Sequence, residues 1–172
     1  ALTHGDDEIL MGTREGMCIR FNEQHIRTCG RVSMGVRAIR LDEGDYVIDM
    51  ARIEEGAEVL VITAKGFGKR TSCDEYREQS RNGKGVRAMA VTDKTGPLAA
   101  QLLVHPEEDI LVITDDGTII RARVADIRLS GRNTQGVRIM RIAEGSEVVA
   151  VARTEAEEEE AAEEAALDTA EE

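Results

Sequence analysis

The chain has 172 residues, with no Trp, two Phe, two Tyr and three Cys, and its 34 acidic residues outnumber 22 basic ones for a formal net charge of −12. That length admits a sizeable core, which must be aliphatic for want of aromatics; no stretch is apolar for long enough to span a bilayer, and the start, Ala1-Leu2-Thr3-His4-Gly5-Asp6-Asp7, lacks a cationic and apolar signal region. The scattered Cys18, Cys29 and Cys73 read as reduced thiols rather than a disulfide framework or zinc site, and the missing initiator Met suggests a chain cut from something longer.

The predicted elements are short strands rich in β-branched and aliphatic residues. Strands at 8–13 and 17–21 flank Arg14-Glu15-Gly16, a tight turn in which Gly takes the positive φ. A polar segment, 22–35, leads to strands at 36–41 and 46–52, joined by Asp42-Glu43-Gly44-Asp45. The pattern returns as 58–63 and 68–72 around Ala64-Lys65-Gly66, a polar segment 73–85, and strands 86–91 and 98–104. It returns again as 109–114 and 118–123 around Asp115-Asp116-Gly117, a segment 124–136 with a helical turn at Val124-Ala125-Asp126-Ile127, and strands 137–142 and 147–152. Polar segments this long exceed what a hairpin needs, and ordered long loops often carry function.

These are three repeats, about 6–52, 57–104 and 108–152. Glu8-Ile9-Leu10-x-x-Thr13-x-x-Gly16-x-x-x-Arg20 recurs from Glu58 to Arg70 and, with Asp109 leading, to Arg121. Arg31-x-x-x-Gly35-Val36-Arg37 recurs at Arg81 to Arg87 and Arg132 to Arg138. A period near 50 points to a propeller-like or solenoid array, in which each unit buries its apolar faces against its neighbours.

Charge is unevenly distributed. Residues 153–172 carry ten carboxylates and one Arg, so residues 1–152 hold 24 acidic and 21 basic groups, a net −3. The middle repeat, 57–104, is basic, with eight cations and five carboxylates. The tail, 153–172, is expected to be a disordered polyanion, because like charges at i, i+4 oppose helix. Acidic residues concentrate in the turns between strands three and four, which suggests opposite charges on different faces.

No catalytic constellation is present: His4, His25 and His105 sit in unrelated contexts, and Gly66-Phe67-Gly68-Lys69-Arg70-Thr71 lacks the frame and following helix of a phosphate loop. The basic groups are the better candidates. Lys65, Lys69, Arg70, Arg77, Arg81, Lys84 and Arg87, followed by Arg27, Arg31, Arg37, Arg128, Arg132 and Arg138, could track the phosphates of duplex DNA without reading bases. The scarcity of aromatic platforms favours duplex over single strands. The competing reading is structural: the arginines form salt bridges that tie the units together, most of all Arg20, Arg70 and Arg121 in strands.

Gly66-Phe67-Gly68-Lys69-Arg70-Thr71, Arg81-x-x-Lys84-Gly85-Val86, Ile113-Thr114-Asp115-Asp116-Gly117-Thr118 and Gly131-Arg132-Asn133-Thr134-Gln135-Gly136-Val137 together resemble the C-terminal domain family of the bacterial DNA gyrase A protein, over residues 6–152. The resemblance implies an all-β fold, a β-pinwheel of four-stranded blades that exchange a strand, with about three of the usual six blades at 1–152. It implies duplex DNA wrapped on a basic rim in support of ATP-driven negative supercoiling. It also implies partners in the rest of the gyrase A protein and in the gyrase B protein of an A2B2 enzyme, and a cytoplasmic, nucleoid-associated location in a bacterium. No membrane or small-molecule partner follows from it. The fragment itself carries no catalytic, metal or cofactor site by this reading; ATP and Mg2+ belong to the whole enzyme. The family's wrapping motif, Gln-Arg-Arg-Gly-x-Lys/Arg-Gly, sits in a first blade that is absent, and Gln79-Ser80-Arg81-Asn82-Gly83-Lys84-Gly85 departs from it at Ser80 and Asn82. Neither Tyr46 nor Tyr76 matches the nucleophile of the cleavage domain. The related C-terminal domain of topoisomerase IV and a protein-interaction scaffold are the alternatives, and the acidic tail is expected to compete with DNA for the rim.

Overall fold

The computed structural model describes residues 1–156. Three antiparallel hairpins carry the fold: β1 (Glu8–Thr13) with β2 (Met17–Asn22), β4 (Glu58–Thr63) with β5 (Phe67–Ser72), and β8 (Asp109–Thr114) with β9 (Ile119–Arg123). A long strand from the end of each repeat flanks the hairpin on its other side: β3 (Val47–Arg52) on β1, β7 (Leu98–Val104) on β4 and β11 (Val148–Thr154) on β8. The last of these runs two residues past the boundary expected at 152, since Arg153 and Thr154 pair with Ile110 and Asp109. Most of the expected tail, 157–172, lies outside the described residues.

The third strand of each repeat departs from expectation. Instead of 86–91 and 137–142, only Val86–Arg87 (β6) and Val137–Arg138 (β10) are strand, and 36–41 forms none. The reason is topological. β6 pairs with β2 of the repeat before it, and β10 with β5, so the sheets run β3-β1-β2-β6, β10-β5-β4-β7 and β11-β8-β9. Each of these elements leaves its own repeat, adds two residues to a neighbour's edge and moves on. This is the blade-to-blade exchange of a pinwheel.

Alternation along each hairpin sets the packing, because successive side chains of a strand face opposite sides. From β4, Val59 and Val61 enter a core shared with Leu10, Cys18, Tyr76 and Met89, between the first and second sheets. Leu60 and Ile62 enter another with Ile110, Val112, Ile127 and Met140, between the second and third. Being covered on both faces, β4 reads as a continuous apolar run, Val59-Leu60-Val61-Ile62. A smaller cluster of Ile9, Ile19, Phe21 and Ile39 covers the far face of the first sheet.

After each hairpin the chain turns through a short 3-10 helix at Glu23–His25, Cys73–Glu75 or Val124–Asp126, so the turn expected in the third repeat occurs in all three. In the first two, Asn22 and Ser72 cap the turn by accepting from the N–H two residues on. The turns start the long polar segments that carry most of the candidate cations.

Candidate nucleic-acid interface

The arginines fall into series of three equivalent positions, and the fold gives each series a different task. Arg20 and Arg70 are inter-blade staples. Arg70 is 9% exposed; its guanidinium pairs with Glu58 at 2.6 Å and donates to the carbonyls of Ile127 (2.7 Å) and Ala125 (3.1 Å) in the next repeat. Arg20 repeats the arrangement with the carboxylate of Glu8 and the carbonyls of Cys73 and Tyr76. In the third repeat Arg121 pairs with Asp109 at 2.7 Å and donates to the Glu155 carbonyl. The structural reading therefore holds for Arg20 and Arg70, which bond into the next repeat, and Arg70 leaves the set of candidate contacts.

Lys69 leaves it too. It has no exposed surface, and its ammonium donates to the carbonyls of Gly131 (2.6 Å) and Arg132 (2.5 Å), pinning the Gly-Arg-Asn-Thr loop to β5. Burial pulls its pKa down to about 8, partly opposed by the charge of Glu75. The unfolded lysine keeps its proton up to about pH 10.4, so the unfolded chain holds more protons above pH 8 and this group makes stability rise there. Cys73 acts in the opposite sense from about pH 9, because burial raises its thiol to about 11. Between pH 8 and 9 the unfolding free energy of the native protein, minus that of Lys69→Met, should therefore increase by about 1 kcal/mol. Urea titrations of both proteins at the two pH values measure it; a flat difference would mean that the ammonium is not desolvated.

Arg81 and Arg132 latch one long loop to the one before it. Arg81 donates to the carbonyls of His25 (2.8 Å) and Arg37 (3.1 Å), and Arg132 to that of Arg87 (3.0 Å), so both are half-buried. Their counterpart Arg31 is exposed.

Two series remain on the surface. Arg27, Arg77 and Arg128 follow the 3-10 turns, and Arg37, Arg87 and Arg138 occupy the exchange elements; all six are exposed. Among the described residues no side-chain hydrogen bond or ion pair holds Arg27, Arg37, Arg77, Arg87 or Arg128, while the Arg138 guanidinium lies 5.2 Å from the centre of the Phe67 ring. Exposed cations with no fixed partner can exchange water and counterions for phosphate oxygens at small cost. Lys65 and Lys84 are exposed but tethered, Lys65 to the Asp93 carbonyl at 2.5 Å and Lys84 to the Asp42 carboxylate at 2.6 Å.

The bridge from Lys84 to Asp42 also corrects the expected separation of charge, because an acidic turn of one repeat meets the basic loop of the next. Sequence reasoning missed Lys94. Its ammonium sits 5.6 Å over Phe67 and, with Lys65, Arg138 and Glu144, it lines a cleft of about 260 Å³ between the second and third repeats. Gly44 and Gly145 occupy its place in the other repeats, so periodicity carried no signal for it.

Among the described residues no group of three or more His, Cys, Asp or Glu could hold a metal ion, and no helix is long and apolar enough to cross a membrane. Tyr76 is fully buried in the core between the first two sheets.

Comparison with known proteins agrees with this architecture. The family described as DNA gyrase C-terminal domain, beta-propeller, matches residues 7–54, 57–99 and 108–155. The DNA gyrase A protein of Staphylococcus epidermidis (strain ATCC 12228 / FDA PCI 1200) is 43% identical over 159 residues, which is 91% of this chain and 18% of that protein. The solved DNA gyrase A C-terminal domain superposes with a TM-score of 0.81 at 20% identity, covering 88% of this chain and 52% of its own. The C-terminal domain of DNA topoisomerase IV gives 0.85 at 25% identity, covering 100% and 54%. The chain thus spans about a fifth of the curated relative, and about half of each solved domain.

Proposed function

From the premise that this chain belongs to the DNA gyrase C-terminal domain family, we propose that it binds and wraps duplex DNA as part of the A protein of a DNA gyrase. The observation that carries the reading is the division among the arginines: two threefold series, Arg27/Arg77/Arg128 and Arg37/Arg87/Arg138, stay exposed, while Arg20, Arg70, Arg81 and Arg132 are engaged within the fold. Their threefold recurrence offers phosphates a contact of the same kind in every repeat, with affinity but no base readout. Lys65, Lys84 and Arg31 flank the same loops and extend the surface. The chain performs no chemistry in this scheme. It holds a DNA segment for the cleavage and ATP-driven steps of an A2B2 assembly, in the bacterial cytoplasm at the nucleoid, and the ATP and Mg2+ of that assembly act elsewhere.

A duplex-binding salt series on the native chain and on the triple variant Arg27→Gln/Arg77→Gln/Arg128→Gln tests this. If each arginine meets one phosphate, the triple variant should flatten the slope of log K against log salt by about 2–3, at about 0.9 for every phosphate no longer neutralised. A folded native chain that binds no duplex, or a slope the variant leaves unchanged, refutes the rim.

The topoisomerase IV reading is favoured by one observation, the higher TM-score of that domain. The 43% identity to a gyrase A protein favours the first. Negative supercoiling by an enzyme carrying this domain would separate the two.

A further inference from the structure

Val32 and Met34 are the two most exposed large apolar side chains among the described residues, Val32 at 99% and Met34 fully exposed. They stand two apart on a stretch that carries only positive charge. From Gln24 to Leu41 there are four arginines, Arg27, Arg31, Arg37 and Arg40, all exposed, and no carboxylate. The equivalent places are polar in the other repeats, Asn82 and Lys84 in the second, Asn133 and Gln135 in the third. Those four residues are exposed as well, although the Val86-Arg87 and Val137-Arg138 that follow them are seated in sheets. Pairing of the exchange element therefore does not cover these positions, and Val32 and Met34 face water by their place on the loop.

The loop is built, with a turn at its tip and a fastened stem. The Ser33 N–H donates to the Gly30 carbonyl at 3.0 Å, closing a turn over Arg31 and Val32 that Thr134 and Gly131 repeat at 3.2 Å in the third repeat. The stem is tied to the second repeat. Arg81 donates to the carbonyls of His25 and Arg37, the Asn82 N–H to that of Ala38, and the Arg40 N–H to that of Gly83. Single exposed apolar residues are ordinary. A pair projected from a fixed stem, with Arg27 and Arg31 before it and Arg37 and Arg40 after, is a contact surface of defined chemistry, and a preformed tip loses little freedom on binding.

We propose that Met34, with Val32 beside it, is an apolar wedge that enters the minor groove of duplex DNA and opens one base step, while the four arginines hold the phosphates on either side. The inference rests on the reading of the rim as a duplex-binding surface and adds a second kind of contact to it. The arginines select a polyanion as the partner. The apolar surface of a duplex lies past its phosphates, on the sugar edges of the minor groove and the faces of the bases, where an inserted side chain unstacks a step and kinks the helix. The first repeat is then the place where the duplex bends. The polar tips of the second and third repeats, Asn82 and Lys84, Asn133 and Gln135, stay on the backbone. A wedge also brings a preference that phosphate contacts lack, for pyrimidine–purine steps, which unstack most easily.

The double variant Val32→Asn/Met34→Gln provides the test. It places the third repeat's residues on the first loop, keeps every charge and should leave the β-sheet circular dichroism spectrum unchanged. Affinity for a short duplex is measured by anisotropy across a salt series, and bending by energy transfer between dyes at the two duplex ends. The native chain should draw the ends together. The variant should bind about tenfold more weakly at every salt concentration with the same slope, because burying methyl groups releases no counterions. Its duplex should stay straighter. A variant that binds or bends the duplex as the native chain does overturns the wedge and leaves the rim standing. A reduced slope overturns it too, since that marks lost phosphate contacts instead of a lost apolar one. A folded native chain that binds no duplex at any salt removes the rim and the wedge together.

Discussion

Replacing Arg70 with alanine should remove about 3–5 kcal/mol of stability, the usual cost of breaking a buried ion pair from one side. The deletion leaves the Glu58 carboxylate, itself 17% exposed, without its cation and strips donors from the Ile127 and Ala125 carbonyls. Two of those three partners belong to the third repeat, so the loss concerns the junction more than the second sheet. In an array whose stability is a sum of unit and interface contributions, the third repeat should then unfold before the others. Urea titration read by hydrogen exchange would resolve this, with amides of Ile110 and Val112 losing protection ahead of Val59 and Val61. A double-mutant cycle with Glu58→Gln apportions the pair. A loss below about 1 kcal/mol, the range of surface pairs, would refute the staple.

Gly136→Ala should be comparably damaging, by a different route. Gly136 stands at φ +70°, where a side chain costs about 1–2 kcal/mol through the clash of Cβ with the following carbonyl. Space is the second problem: the new Cβ would lie 2.4 Å from the Gly68 oxygen and 2.8 Å from the Gly68 carbon, both backbone atoms that cannot swing aside. Relief requires β10 to leave β5, so the total should reach about 3 kcal/mol or more. Gly145→Ala is the matched control, with φ +87° and nothing within 4 Å, and it should show the backbone penalty alone. Equal losses in the two variants, by thermal or urea unfolding, would mean that the β10 junction contributes nothing.

Much of the fold was legible because each hairpin is specified locally. Turn residues, β-branched runs and alternation lie within about 15 residues of one another, and a period of about 50 residues states the same message three times. The third strands were misjudged because Val86-Arg87-Ala88-Met89-Ala90-Val91 has strand composition, while strand formation also needs an edge to pair with. The edge offered to β6 holds two residues, Met17 and Cys18, and it belongs to another repeat. The candidate site was legible as a set of positions but not as a division of labour. Lys69 and Arg70 stood among the candidate phosphate ligands of the middle repeat, Arg70 with a structural reading beside it, and both proved to be internal donors. Arg77 and Arg87, seven to seventeen residues further on, stayed at the surface.

The sequence by itself determined the unit: three hairpins of aliphatic strands, glycines at the tight turns, and arginines at fixed places in every repeat. Side-chain chemistry and backbone preference act over a few residues, so they can be read along the chain. Tertiary structure alone decided which repeat lends a strand to which, and therefore which cations face water. Main-chain carbonyls carry no sequence signature, yet those of Ile127, Ala125, Gly131 and Arg132 are what turned Arg70 and Lys69 inward. They lie 55–63 residues away in sequence, and only the packing of one sheet on the next brings them within hydrogen-bonding distance.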